Sequence, residues 1–285
     1  MMAQSKYILA LLTFITIGMI IGSLFQLAFI WRLEEPSGTS HWENDKEASL
    51  LRVGLVKPEI LSWSPRVILF HNFLSMEECD YLRAIAKPRL RTSTVVDIKT
   101  GKASCQSHNI LLSMIQSLLV YFFGMKSDVR TSSGMFLSSE ERKYPIIEAI
   151  EKRIAVFSQV PSENGELIQV LRYETNQFYR PHHDYFSDTF NLKRGGQRVA
   201  TMLMYLSDDV EGGETYFPMA GSGECSCGGK VVKGLCVKSN KGDAVLFWST
   251  GLDGETDPNS LHGGCAVLRG EKWSATKWMR QKTSF

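Results

Sequence analysis

Residues 179–186 read Tyr-Arg-Pro-His-His-Asp-Tyr-Phe, and what they can do depends on the backbone that carries them. In a strand, side chains at i and i+2 share one face while i+1 points the other way. His182 and Asp184 then converge, and His183 turns away as a packing or supporting residue. Two imidazoles and one carboxylate on one side of a metal leave three positions open, a donor set suited to Fe(II). An H-x-D triplet alone is weak evidence. The strand reading therefore demands a second histidine from elsewhere in the chain.

That histidine is His262, within SLHGGCAVLRGEKWSATKW at residues 260–278. Ten positions later Lys272 opens an alternating run in which Lys272, Ser274, Thr276 and Trp278 share a face. Three of those four are polar, unusual for a sheet interior. An inward ammonium needs an anion. A dicarboxylic acid that chelates the metal at one end and meets Lys272 at the other satisfies it.

Upstream and downstream of these stretches, short apolar runs are broken by Gly, Asp and Asn turns: IQVLRYE, RVATMLMYLS, GGETYFP, GDAVLFW, HGGCAVLRG and KWSATKWM. Each reads as a strand. Before them come helical segments. SMEECDYLRAIAKPRL has Ser75 and Glu78 spaced as a capping box, with Pro88 ending the helix. PIIEAIEKRIAVFSQV places Ile146, Ile147, Ile150, Ile154 and Phe157 near helical spacing. Helices first and then a run of strands predict an α+β, mainly β fold, a sandwich or barrel with helical support on one side.

The 285 residues carry 32 Lys+Arg against 30 Asp+Glu, a net charge of +2. The basic residues are scattered, which argues against a nucleic-acid partner. Tyr7–Trp31 contains no charged residue and exceeds the roughly 20 residues that span a bilayer. It reads as an uncleaved signal anchor with its N-terminus cytosolic, a cleaved signal peptide being the alternative. The expected organisation is a cytosolic tip and transmembrane helix at 1–31, a polar linker at 32–62 and a catalytic domain at 63–285.

The words VLRYETNQFYRPHHDYF, GGQRVATMLMYLSDDVEGGETYFP, KGDAVLFW and LHGGCAVLRGEKWSATKW, with the order H-x-D, His, Lys, resemble the plant-type prolyl 4-hydroxylases. These are 2-oxoglutarate- and Fe(II)-dependent dioxygenases, and the resemblance runs from about Pro65 to Gln281. It implies a double-stranded β-helix of the jelly-roll kind. It implies that His182, Asp184 and His262 bind Fe(II), that Lys272 binds the distal carboxylate of 2-oxoglutarate, and that Tyr173 and Thr201 also contact this cosubstrate. For the peptide it points to Arg130, Ser132, Glu166, Tyr179, Arg198 and Trp278.

The resemblance further implies a proline-rich substrate in polyproline II form, O2 as co-reactant and L-ascorbate as reductant. The expected location is the endoplasmic reticulum or Golgi membrane, single-pass and type II, with the catalytic domain luminal. Association with other prolyl hydroxylase chains is a further expectation.

The chain departs from its family between STVVDIKTGK and KSDVRTSSGMFL. Residues 103–125 intervene, including the uncharged NILLSMIQSLLVYFFGM, an apolar insertion beside Arg130 and Ser132. Two readings stand besides the active enzyme: an isoform impaired by the insertion that acts only as a binding partner, and a related dioxygenase with another target such as lysine. Six cysteines stand at 79, 105, 225, 227, 236 and 265. Cys225, Cys227 and Cys236 cluster in a glycine-rich stretch, where a local disulfide is expected. Cys105 falls within the insertion and is expected to be unpaired.

Overall fold

The computed structural model describes residues 45–93, 95–96, 103–104 and 129–283. The expected anchor at Tyr7–Trp31, the linker up to residue 44 and the insertion beyond Ser104 lie outside the described residues. Among the described residues no helix is long and apolar enough to cross a membrane. The chain divides into units at 1–49 and 50–285. All the described strands belong to the second.

Two antiparallel sheets form the body of that unit. The larger has eight strands in the order Lys57–Trp63, Arg66–His71, Ala244–Trp248, Arg198–Tyr205, Lys272–Arg280, Gln169–Tyr173, Ser133–Phe136 and Arg91–Thr92. The smaller runs Leu235–Val237, Thr215–Phe217, His262–Gly264 and Tyr179–His182. Alternation along each central strand divides the core in two. Met202, Met204, Leu246, Trp273 and Ala275 face one way. They pack with Leu82 of helix Met76–Ala86 and with Ile147, Ile150 and Ile154 of helix Pro145–Ser158. Tyr205, Val245 and Phe247 face the other way and meet Phe217 and Val237 of the smaller sheet. Helices thus back one face of the large sheet and the small sheet covers the other, a jelly-roll arrangement that is mainly β.

The first helix starts as its sequence indicates. Ser75 Oγ accepts from the Glu78 amide at 3.1 Å, and Glu78 accepts from the Ser75 amide at 2.8 Å. The helix ends at Ala86, short of Pro88. Glu78 has a second task that the sequence did not reveal. Both its oxygens accept from Arg153 of the other helix at 2.8 Å, joining the two helices by a buried bidentate pair.

The expected linker up to 62 is shorter than read, because Lys57–Trp63 is a strand paired with Arg66–His71. As an edge strand it bonds on one side only and leaves Ile60 and Trp63 exposed. It therefore carries no apolar period from which to read it.

Candidate metal and cosubstrate site

The metal set is built by one strand pairing. Tyr179–His182 lies antiparallel to His262–Gly264, with His182 directly opposite His262. The close approach requires Gly263, since a Cβ there would stand 2.9 Å from the Tyr179 carbonyl oxygen and 3.0 Å from Pro181 N. His182 Nε2 lies 3.6 Å from Asp184 Oδ1, and His262 Nε2 lies 3.6 Å from Asp184 Oδ2. One donor atom from each of the three residues falls within 4.8 Å of the others. The strand ends at His182, so Asp184 reaches the set from the bend beyond it. His183 turns away, with Nε2 2.9 Å from the Pro258 carbonyl oxygen and its ring stacked on Tyr185.

Each ligand histidine is oriented by its own chain. His182 Nδ1 faces the Arg180 carbonyl at 3.0 Å, and His262 Nδ1 faces the Ser260 carbonyl at 2.9 Å. A carbonyl only accepts, so Nδ1 holds the proton and Nε2 presents a lone pair to the centre. Burial, and then neighbouring His262, push the His182 imidazole down to about 3. Burial alone would raise the Asp184 carboxyl, but His262, His182 and Arg198 together hold it near 2. At neutral pH the site therefore offers an ionised Asp184 carboxylate and a neutral His182, with the Nε2 atom of His262 turned to the same centre. That donor set fits a divalent iron with open positions.

The same pocket is lined by Tyr173, Thr201, Thr215, Lys272, Ser274 and Thr276, so the polar face read from the alternation points inward. Lys272 is buried, its Nζ between the rings of Tyr173 and Tyr205 at 5.8 and 5.6 Å from their centroids. Burial lowers its ammonium to about 8, against the pull of Glu214. Lys272 makes no ion pair among the described residues, whereas Lys277 on the opposite face meets Glu151 at 2.6 Å. Thr201 lines the pocket, but its hydroxyl donates to Asp184 Oδ2 at 2.7 Å. Its bond is to the metal ligand.

The expected peptide contacts divide. Arg130, Tyr179 and Trp278 line the pocket. Tyr179 stacks on His182 with centroids 3.7 Å apart, and the Arg130 guanidinium lies 4.7 Å over the Tyr179 ring. Burial raises the Tyr179 hydroxyl to about 12, so it stays a donor at any working pH. Ser132 is fully buried. It accepts from Arg130 Nε and donates to Ser93 Oγ, both at 3.0 Å, so it braces Arg130.

Glu166 accepts from Arg198 through both oxygens at 2.8 and 2.7 Å, and from Arg280 at 2.7 Å. Arg198 in turn stacks 4.2 Å over Trp278. These two charges are spent on each other beside the pocket.

Sequence reasoning missed Thr215, Leu203 and Phe247 in the lining. The Phe247 ring lies 4.4 Å from that of His262. Alternation back from buried Phe217 would have placed Thr215 inside. The local disulfide is Cys225–Cys236, and Cys227 pairs with Cys265, three residues past His262. Cys79 is a buried free thiol, and Cys105 lies outside the described residues.

Comparison with known proteins places this geometry in a family. Residues 168–280 match the 2OG-Fe(II) oxygenase superfamily, a span that holds the whole metal set and Lys272. The chain is 66% identical over 298 aligned residues to prolyl 4-hydroxylase 1 of Arabidopsis thaliana, covering 98% of both chains. It is 52% identical to a probable prolyl 4-hydroxylase 3 of the same plant, over 78% of this chain and 71% of that one. Among solved structures, a viral collagen prolyl hydroxylase of Paramecium Bursaria Chlorella virus-1 in its 2OG complex superposes with a TM-score of 0.50 at 26% identity. That match covers 75% of this chain and 95% of the viral one. The chain belongs to the prolyl 4-hydroxylase family of 2-oxoglutarate- and Fe(II)-dependent dioxygenases.

Proposed function

We propose that the chain hydroxylates peptidyl proline at C4 in proline-rich secretory and cell-wall proteins. The observation that carries this reading is the sharing of one pocket by His182, Asp184 and His262 with a buried Lys272 that has no ion pair among the described residues, in a chain of this family. His182, Asp184 and His262 would hold Fe(II), and Lys272 the distal carboxylate of 2-oxoglutarate. With both bound, the chemistry supplied there is oxidative decarboxylation coupled to hydroxylation, consuming O2 and yielding succinate, CO2 and hydroxyproline.

The chain's own residues do the rest. Lys272, which makes no ion pair among the described residues, would neutralise and orient the anion. Leu171, Leu203 and Phe247 keep the pocket wall apolar, which excludes water and strengthens each polar contact inside. Tyr179, held between Arg130 and His182, and Trp278 offer flat faces to pyrrolidine rings. A polyproline II chain has no internal hydrogen bonds, so its carbonyls are open to donors at such a surface.

L-ascorbate would serve as reductant. Tyr7–Trp31 would anchor the chain, type II, in the endoplasmic reticulum or Golgi membrane with residues 63–285 luminal. Two disulfides support an oxidising compartment. The test uses the full chain in detergent with Fe(II), 2-oxoglutarate, ascorbate and a proline-rich peptide. The expected result is one added oxygen per modified proline with matching succinate, abolished by His182→Ala. Oxygen added to lysine instead of proline would overturn the substrate assignment.

A further inference from the structure

Asp184 must act as a ligand while leaving room for everything else that binds the metal. Its Oδ2 accepts from the Thr201 hydroxyl at 2.7 Å. Its Oδ1, 3.6 Å from His182 Nε2, accepts no hydrogen bond among the described residues. Thr201 is 1% exposed and is fixed from both sides. Its strand pairs with Ala244–Trp248 and with Lys272–Arg280, Thr201 standing opposite Phe247 and Trp278. A β-branched side chain in an inner strand has little χ1 freedom. A hydroxyl facing a carboxylate can only donate to it, and such charge-assisted bonds are short and strong.

A carboxylate can ligate through one oxygen or through both. Oδ2 stands as near to His262 Nε2 as Oδ1 does to His182 Nε2, both at 3.6 Å. The Thr201 hydroxyl, however, draws on the electron density of Oδ2 and fixes its direction, so two-oxygen ligation would have to compete with that bond. We propose that Thr201 makes Asp184 a one-oxygen ligand and so preserves three open positions at the metal. The count matters: a chelating 2-oxo acid needs two of those positions and O2 needs the third. A second carboxylate oxygen would occupy one of them. Thr201 is thus a positioning residue that acts through Asp184. This inference rests on the reading that His182, Asp184 and His262 bind Fe(II).

The test uses the full chain without O2 and without turnover. Fe(II) binding is titrated first. 2-Oxoglutarate is then titrated through the charge-transfer absorption that appears only when the 2-oxo acid chelates the iron. Thr201→Val keeps the branched shape and removes the hydroxyl; Thr201→Ser restores it. The expected result for Thr201→Val is retained Fe(II) with 2-oxoglutarate affinity weakened about tenfold or more and a diminished band. Thr201→Ser is expected within about twofold of the parent on the same measurement.

A merely structural role would lower the melting temperature and leave the affinity for 2-oxoglutarate at the loaded iron unchanged. Parent-like chelation in Thr201→Val overturns the proposal. If that variant does not fold, Thr201→Ala is read by the same outcomes. His182→Ala separates the two levels: if it binds Fe(II) like the parent, the metal reading itself fails. If it loses Fe(II) while Thr201→Val chelates normally, only the role of Thr201 fails.

Discussion

Lys272 and Lys277 stand five residues apart on one strand, an odd separation that sends them to opposite faces of the large sheet. Both are buried, and burial lowers both ammoniums to about 8. Behind the sheet, Lys277 meets Glu151 at 2.6 Å, and Arg142 meets the other oxygen of Glu151 at 2.5 Å. In front, Lys272 has aromatic rings on either side and no ion pair among the described residues. The two cost the fold a similar desolvation. Lys277 is paired from within, whereas Lys272 has only the longer-range pull of Glu214 and room for an anion from without. A buried charge without an ion pair among the described residues marks where a ligand of opposite sign fits.

The largest expected effect lies on the pocket side. His182→Ala or His262→Ala removes one of three metal donors, and both Fe(II) binding and proline hydroxylation should be lost while the melting temperature of the metal-free chain stays close to the parent's. The lysines themselves give the sharpest contrast. Lys277→Met strands a buried carboxylate and should cost about 3 kcal/mol in denaturant unfolding, the low end for a broken buried pair because Arg142 still holds Glu151. Lys272→Met should leave stability equal or higher and weaken 2-oxoglutarate by about 2–5 kcal/mol in an anaerobic titration. If both variants lose stability equally, the division between the two faces is wrong.

Next comes the tie behind His262. Cys227→Ser with Cys265→Ser opens a bridge of sequence separation 38, and unfolding should become easier by about 2–4 kcal/mol.

Smaller effects arise from pH. The Lys272 ammonium, at about 8 in the free protein, is the form that holds a carboxylate. Cosubstrate affinity should hold below that value and fall by up to about tenfold per pH unit above it. Between about 8 and 10.4 the unfolded chain binds more protons at this lysine, so stability should rise with pH there, and rise less in Lys272→Met.

His71 has the opposite sign. Its hydrogen bond to Glu59, helped by Asp243, outweighs burial and raises it above its ordinary value. Its contribution should be full below about 6.5 and vanish as pH rises through the raised folded value. A small melting-temperature difference between the parent and His71→Gln, present at pH 5.5 and absent at pH 9, would show it.

What was legible in the sequence was whatever derives from strand parity and local capping. Lys272, Ser274, Thr276 and Trp278 share an inward face, and Ser75 and Glu78 cap a helix. His182 and Asp184 do converge and His183 does turn away, but the strand assumed for them stops at His182 and a bend carries Asp184. What was not legible is pairing over distance. Nothing near Glu166 announces that Arg198 and Arg280 both close on it. Nor does anything near Cys227 favour Cys265 over the closer Cys236. Thr201, which the resemblance assigned to the cosubstrate, lines the pocket. Its hydroxyl direction depends on a carboxylate 17 residues earlier in the chain, and no strand pattern reports that. Lys57–Trp63 escaped because an exposed edge strand has no apolar side to read.

Each metal-facing imidazole is set by the carbonyl two positions before it, and the two come together through a single pairing of short strands. The ligands are thus prepared separately by local geometry, and only the register between the two strands remains to be chosen. A slip of one residue would turn either histidine to the far side. A bound ion would favour the one alignment in which both imidazoles point at it, and so act as a gauge of correct assembly. Chains that had paired these strands wrongly would be the ones left without iron.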